Sequence, residues 1–432
     1  MDYPLWVIPG ISGALVIAFI AVFHVFISHF AVGMGLYTAL AEKKAIETGN
    51  PEAMKFVKRT SGLILYVSAI IGAITGVGIW FSIALVHPAG TSALIHNFVW
   101  GWAIEWIFFV LEIVSILIYY YTWDKVSAKF HNTIAWLYFI GAYLSLVIIN
   151  GIITFQLTPG KWIKTHAFWD GFFNPTYFPS LVGRTGVCLM LAGIFATLIL
   201  SFTKDKEVKV KFGRFTGVFG IIGIILTYIG FFWWAKAIPS NVADQFLGGN
   251  DTLTEFFRNA AYLGIITFII MFIFTIIIPS RMNIIVAIVL LILAQIAFGY
   301  YEFTRERTRK PFVIRDYMYS NGVLVSEVSK LNKKGVLSKV KWANPLNKKD
   351  KLSIGEAVYK ADCMICHDWY HFNSEPLFSS ISDSPEDNLD ILDSLDSNPL
   401  MPPFIGTEKE KEALATYLAK LAKEREKEGN NE

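Results

Sequence analysis

Eight long apolar stretches constrain this chain more than any other feature. They run over residues 11–42, 60–87, 98–122, 132–157, 179–202, 215–238, 256–279 and 282–304. A helix needs about 20 apolar residues to cross the hydrocarbon core of a bilayer, and each stretch supplies that length. The expected fold class is therefore all-α, an eight-helix transmembrane bundle. A composition that is 54% hydrophobic, with a mean hydropathy of +0.47, excludes an ordinary soluble globular chain. Beyond Arg305 no apolar run is long enough to span. The expected division is a membrane domain over 1–312, a linker over 313–349, a small soluble domain over 350–426 and a polar tail over 427–432.

Orientation follows from where Lys and Arg collect, since they accumulate in short cytoplasmic connections. The odd-numbered connections carry Lys43, Lys44, Lys55, Lys58, Arg59, Lys125, Lys129, Lys204, Lys206, Lys209, Lys211, Arg214 and Arg281. The even-numbered ones carry only Lys161, Lys164, Lys236 and Arg258. This puts the odd connections inside, and the N-terminus and the tail outside. Arg305, Arg307, Arg309, Lys310 and Arg315 stand against this reading, because they follow the last stretch on its outer face. The start, "MDYPLWV", has no basic residue of the kind that opens a cleavable leader, so the first helix is expected to remain as an anchor. The net charge of +3 identifies no partner by itself, and no nucleic acid is expected as one.

The tail contains Cys363-Met-Ile-Cys366-His367, the spacing by which a chain attaches a c-type haem covalently. Its thiols would form thioethers to the haem vinyl groups, and His367 would ligate the iron. A zinc site would want further Cys or His nearby, and a thioredoxin-like motif would sit in a βαβ pattern; neither context is present. Downstream of His367 stand His371 and Met401. His371 is one helical turn away, on the same side of the iron, so Met401 in "NPLMPPF" is the expected sixth ligand. A Met/His pair raises the potential and suits electron transfer. "SIGEAVYKADCMICH" resembles the first helix of a class I cytochrome c, and "TEKEKEALATYLAKLAKE" its last. Because bacteria attach haem c outside the cytoplasmic membrane, this reading agrees with the loop charges. The acidic run from Asp383 to Asp396 is read as a solvated loop in preference to a docking patch. Cys188, within an apolar stretch, reads as a small buried hydrophobe.

Ionisable residues inside a bilayer are costly and mark sites by default. His24 lies near the middle of the first stretch. His29, five residues on, points about 140° away at 100° per residue, so the two are not expected to share a metal. Glu105 and Glu112 are seven residues apart, on one face of the third helix. Paired carboxylates so placed can relay protons, ligate a metal or pair with buried bases. Trp102 and Trp106 read as packing. Arg184, Arg258 and Glu302 put charge near the outer ends of helices five, seven and eight, where arginine can hold haem propionates or merely snorkel.

Over its first 150 residues the chain resembles subunit I of the cytochrome bd oxygen reductases. The likeness rests on "FHVFISHFAVGMG", "TGVGIWF", "AIEWIFFVLE", "YTWDK" and "ING", with "FFRNAAY" and "RKPF" as weaker echoes further on. The resemblance implies that His24 is an axial ligand of a high-spin haem, and that Glu105 and Glu112 ligate or protonate the oxygen site. It implies a second haem ligand at Glu302, cofactor contacts by Arg258 and Arg309, and a reactive pair made of haem b and haem d, or of two haems b. It also implies a multi-pass protein of the bacterial cytoplasmic (inner) membrane, with a second membrane subunit resembling subunit II or another subunit I-like chain. Departures are visible. The Glu105–Glu112 spacing is one residue shorter than the family pattern. Arg184 and Ala260 stand where quinol-oxidising members hold a low-spin haem b. Only residues 239–255 separate helices six and seven, and a cytochrome c follows where a ninth helix would be. The expected function is a terminal oxidase subunit passing electrons from a periplasmic donor through haem c to O2. A bd-like electron-transfer subunit or cytochrome c anchor that does not reduce oxygen is the alternative. A transporter with a redox-sensing tail would show broken helices or inverted repeats, which are not seen.

Overall fold

A computed structural model describes residues 4–6, 13–367 and 381–429; His371 and the end of the polar tail lie outside the described residues. Among these, eight helices are long and apolar enough to cross a membrane: Gly13–Thr48, Pro51–Val86, Val99–Tyr121, Ala128–Phe155, Tyr177–Ser201, Lys206–Ala237, Asp251–Ile277 and Ile284–Arg309. They are called the first to eighth spans. Several run well past the apolar stretches that signal them, because a helix keeps its backbone bonded beyond the hydrocarbon edge. The first connection shrinks accordingly to Gly49 and Asn50. Gly49 adopts a φ of +60°, which ends one helix, and the Asn50 side chain caps the next by accepting from the Glu52 and Ala53 amides, with Pro51 at the first helical position. Lys43, Lys44, Lys55, Lys58 and Arg59 therefore sit on helices and not in a loop. Ser127, Asp205 and Asn250 cap the fourth, sixth and seventh spans in the same manner.

The chain forms two compact units. The first comprises Ala21–Val77 and Asn97–Thr308. Its most extensive packing joins the fifth and sixth spans through glycines. A Cβ on Gly186 would lie 2.3 Å from the Thr227 amide nitrogen, and one on Gly223 would lie 2.2 Å from that of Met190. Lipid tails are as apolar as leucine, so helices in a membrane gain from close backbone approach, and small residues permit it. The second span is interrupted by a π-helical stretch, Leu65–Gly72. Aromatic rings fill the core near Tyr37, whose hydroxyl pairs with that of Thr216 at 2.7 Å and whose ring lies 5.3 Å from Phe215.

The second unit comprises Met1–Ile20, Gly78–His96 and Arg309–Glu432. Phe312–Ile314 and Met318–Tyr319 pair as a short antiparallel ribbon. Here Val313 packs against Gly90 of the helix Pro88–Asn97. Helices Lys351–Asp362, Pro385–Asp393 and Glu408–Gly429 follow. The first and last cross closely, since a Cβ on Gly355 would lie 2.1 Å from the Ala413 carbonyl oxygen. Residues 313–349, expected as a linker, are folded. They include the helix Val328–Lys334, and Val336 and Val340 belong to one apolar core with Val358, Leu392, Leu414 and Leu418. Glu410 ties that segment down: its carboxylate accepts from the amides of Val336, Leu337 and Thr407 at 3.1, 3.2 and 2.8 Å.

Two substitutions test these contacts by thermal unfolding in detergent. Gly223→Leu overpacks the fifth and sixth spans and should lower the melting temperature by about 5 °C or more. Glu410→Ala leaves three amides without their acceptor and should destabilise the second unit by roughly 3 kcal/mol, read as earlier proteolysis between residues 313 and 349.

Candidate functional site

The membrane site builds outward from His24. Its Nδ1 lies 2.9 Å from Thr75 Oγ1 on the second span. Thr75 uses its own hydroxyl proton on the Ile71 carbonyl, at 2.8 Å. The threonine oxygen is thus the acceptor, His24 carries its proton on Nδ1, and Nε2 keeps its lone pair. That is the tautomer an iron ligand needs, with a neighbouring group fixing the ring. Gly76 lies beside the imidazole, and a Cβ there would come within 3.1 Å of Cε1. Both the donor and the cleared space fit an iron-bound imidazole. His29 faces elsewhere: it is buried, its Nδ1 donates to the Val25 carbonyl at 2.6 Å, and its ring lies 6.1 Å from Phe298 of the eighth span. The angular expectation for these two histidines agrees with this arrangement.

Glu105 and Glu112 both turn toward the fourth span. Ser145 donates to Glu105 Oε1 at 2.8 Å. Glu112 is buried, and its Oε1 accepts from Ser68 at 3.1 Å and Tyr138 at 3.3 Å. Ser68 lies in the π-helical stretch and Thr75 just beyond it, so this irregular segment of the second span serves both His24 and Glu112. Such insertions are frequent at functional sites. Glu302 is held by Arg305, one turn on, through Nε at 2.9 Å and Nη2 at 2.7 Å. Arg184 Nε donates to Ser180 Oγ at 3.2 Å. Arg258 is exposed, whereas Arg309 is buried and donates to the Val313 carbonyl at 2.9 Å.

A further cluster escaped the sequence reading. Glu42, near the end of the first span, is buried with His131, Tyr119 and Asn132 around it. His131 Nδ1 lies 2.5 Å from Glu42 Oε1, and its Nε2 donates to the Tyr119 carbonyl at 2.9 Å. Tyr119 and Asn132 donate to Glu42 Oε2 at 3.2 and 3.0 Å. One proton therefore sits between Glu42 and His131, which are buried against the tilted rings of Tyr119 and Trp123, each 4.2 Å from the imidazole. In the sequence Glu42 is the last residue of the first apolar stretch and His131 just precedes the fourth, so the available signal was an acidic residue at the end of one stretch and a histidine at the start of another.

In the tail, the turn after Lys351–Asp362 is pinned by the amides of Cys366 and His367, which donate to the Cys363 carbonyl at 3.0 and 2.8 Å. His367 Nε2 faces Met401 Sδ at 3.4 Å. An apposed imidazole and thioether, with two thiols on the adjoining turn, make up a donor set that would suit a c-type haem. Lys310 Nζ lies 3.7 Å from Cys366 Sγ. Loss of water around Cys363, with the neighbouring Asp362 and Cys366 adding to it, pushes its thiol up, so as a free group it is a poor nucleophile. Burial first, and then the charge of Glu410, hold the Asp362 carboxyl well above the usual carboxylate range, against the opposing effect of its hydrogen bond from Asn321.

Comparison with known proteins gives three likenesses. The family model described as cytochrome bd terminal oxidase subunit I matches residues 14–237, just over half of the chain. A putative cytochrome bd menaquinol oxidase subunit I from Bacillus subtilis (strain 168) is 26% identical over 207 residues, which span 44% of this chain and 45% of that relative. The chain thus matches less than half of the curated relative's length. The structure of bd oxidase from Geobacillus thermodenitrificans aligns with a TM-score of 0.62 at 16% identity, covering 71% of this chain and 89% of that chain. At that identity the likeness shows the fold.

The buried pair can be tested directly. His131→Ala leaves the Glu42 carboxylate without its main partner and should destabilise the bundle by about 3–5 kcal/mol. In a thermal double-mutant cycle, Glu42→Ala with His131→Ala should cost at least 1 kcal/mol less than the two single losses added together.

Proposed function

Because this chain belongs to the cytochrome bd terminal oxidase subunit I family, we propose that it is a membrane-bound terminal oxidase subunit that takes electrons from a periplasmic donor at haem c and delivers them to O2, forming water. The observation that carries this reading is His24, held by Thr75 with its Nε2 lone pair available above a glycine. In this proposal His24 would hold a high-spin haem b or haem d through its imidazole, Cys363 and Cys366 would attach one haem c, and His367 and Met401 would hold its iron. When bound, haem supplies one-electron transfer and, at an iron with an open position, oxygen binding.

The chain's own residues then have separable tasks. Thr75 fixes the ring of His24, and Gly76 keeps the adjoining space clear. Glu112, between Ser68 and Tyr138, holds a proton away from bulk water, and Glu105, bonded by Ser145, lies on the same helix face two turns nearer the outside. Glu302 as a second iron ligand would have to exchange its bond to Arg305 for one to the metal. Arg258 and Arg309 are assigned to haem propionates. The tail from 350 to 426 acts as a class I cytochrome c domain, joined to a membrane domain over 1–312, and both it and the N-terminus lie on the periplasmic side of the bacterial inner membrane. The basic residues gathered on the helix ends and turns at the opposite side of the spans support this orientation. A second membrane subunit, like subunit II or another subunit I-like chain, completes the assembly. Arg184, bonded to Ser180 where quinol-oxidising members hold a haem ligand, favours a second reading in which the bundle relays electrons without reducing oxygen.

A reduced-minus-oxidised spectrum of the purified protein, repeated under carbon monoxide with the extracted haems counted, separates the two. The oxidase is expected to give haem c together with a carbon-monoxide-sensitive high-spin haem. His24→Ala should abolish the second signal and spare the first, while Cys363→Ala/Cys366→Ala should do the reverse. Haem c alone in the unaltered protein would overturn the oxidase assignment.

A further inference from the structure

An open cavity of about 580 Å³ lies at the ends of the second and third spans and is lined by none of the proposed haem ligands. Lys55, Lys58, Arg59, Lys125, Tyr120 and Trp123 line it. Lys55, Lys58 and Arg59 share one face of the second span, at spacings of three and four residues. Two carboxylates offset part of this charge: Glu52 pairs with Lys55 at 2.6 Å, and Asp124 with Lys58 at 3.0 Å. Among the described residues no ion pair is made by Arg59 or Lys125, so the cavity keeps a net positive charge. Its floor is rigid. Trp123 is buried, donates its indole N–H to Ser61 Oγ at 3.0 Å, and carries the Lys58 ammonium 5.7 Å from its ring centroid.

We propose that this cavity binds the phosphate headgroup of an anionic phospholipid. The guanidinium of Arg59 offers the planar, bidentate donor pair that suits phosphate, and the ammonium of Lys125 adds a point charge. Basic pockets between transmembrane helices take acidic headgroups for this reason. Tyr120 and Tyr121, with ring centroids 5.2 Å apart, stand with Trp123 at the level where aromatic side chains border the headgroup layer. Membrane-ward of the cavity, Tyr66 and Ile70 on the second span and Leu117 and Ile118 on the third are exposed and apolar, a surface suited to acyl chains. That continuity selects a lipid over a free phosphate ion, which would gain nothing from it. The inner leaflet follows from the orientation proposed above; the cavity's chemistry does not depend on that orientation or on the oxidase reading.

The test uses the full chain in nanodiscs of phosphatidylcholine containing a minor fraction of phosphatidylglycerol, with native mass spectrometry counting the lipids that remain bound. The unaltered protein should retain phosphatidylglycerol about thirtyfold more strongly than Arg59→Gln/Lys125→Gln, given about 1 kcal/mol per basic residue near an anionic lipid surface. Lys161→Gln/Lys164→Gln, at the opposite end of the bundle, should retain it undiminished. Its melting temperature should rise with the phosphatidylglycerol fraction, and that of the Arg59/Lys125 variant should not. Equal retention by the unaltered protein and that variant would overturn the proposal. So would a melting temperature raised equally by millimolar inorganic phosphate in pure phosphatidylcholine, which would make this a soluble-anion site.

Discussion

A peptide group inside hydrocarbon has no water to bond, and nearly everything in this molecule answers to that constraint. It makes each spanning segment a helix, because only a helix satisfies its backbone within itself. It also removes the usual incentive for apolar side chains to leave the solvent, so the spans are held by close approach and by polar contacts. The glycine-lined seam of the fifth and sixth spans is the first kind of contact. The Glu42–His131 cluster, which joins the first, third and fourth spans, is the second.

The same constraint explains why the functional candidates come with partners. A carboxylate or imidazole placed in a bilayer must be hydrogen-bonded by the protein itself. His24 is met by Thr75, Glu105 by Ser145, and Glu112 by Ser68 and Tyr138. The π-helical stretch of the second span presents Ser68 and leads directly into Thr75. One span thereby serves an imidazole on the first span and a carboxylate on the third.

The tail obeys ordinary aqueous rules. Its apolar core and the buried Glu410 hold residues 313–349 to the helices that follow. Those residues read as a linker because their apolar positions are few and irregularly spaced. Val336 and Val340 count as core only once the later helices are present to cover them.

What the sequence by itself determined is what depends on nearby residues. Span number and approximate length follow from runs of apolar residues. The Cys363–His367 motif is a fixed spacing, and the shared face of Glu105 and Glu112 follows from helical periodicity. His24 and His29 could be separated by angle alone. Tertiary structure decided everything that depends on which distant residue arrives as a neighbour. It chose the tautomer of His24 through Thr75, joined Glu42 to His131 across 89 positions, gave Glu112 to Ser68 and Tyr138, and brought Lys125 to one cavity with Lys55, Lys58 and Arg59. The physical reason is that periodicity fixes the direction in which a side chain points, while only packing fixes what it meets there.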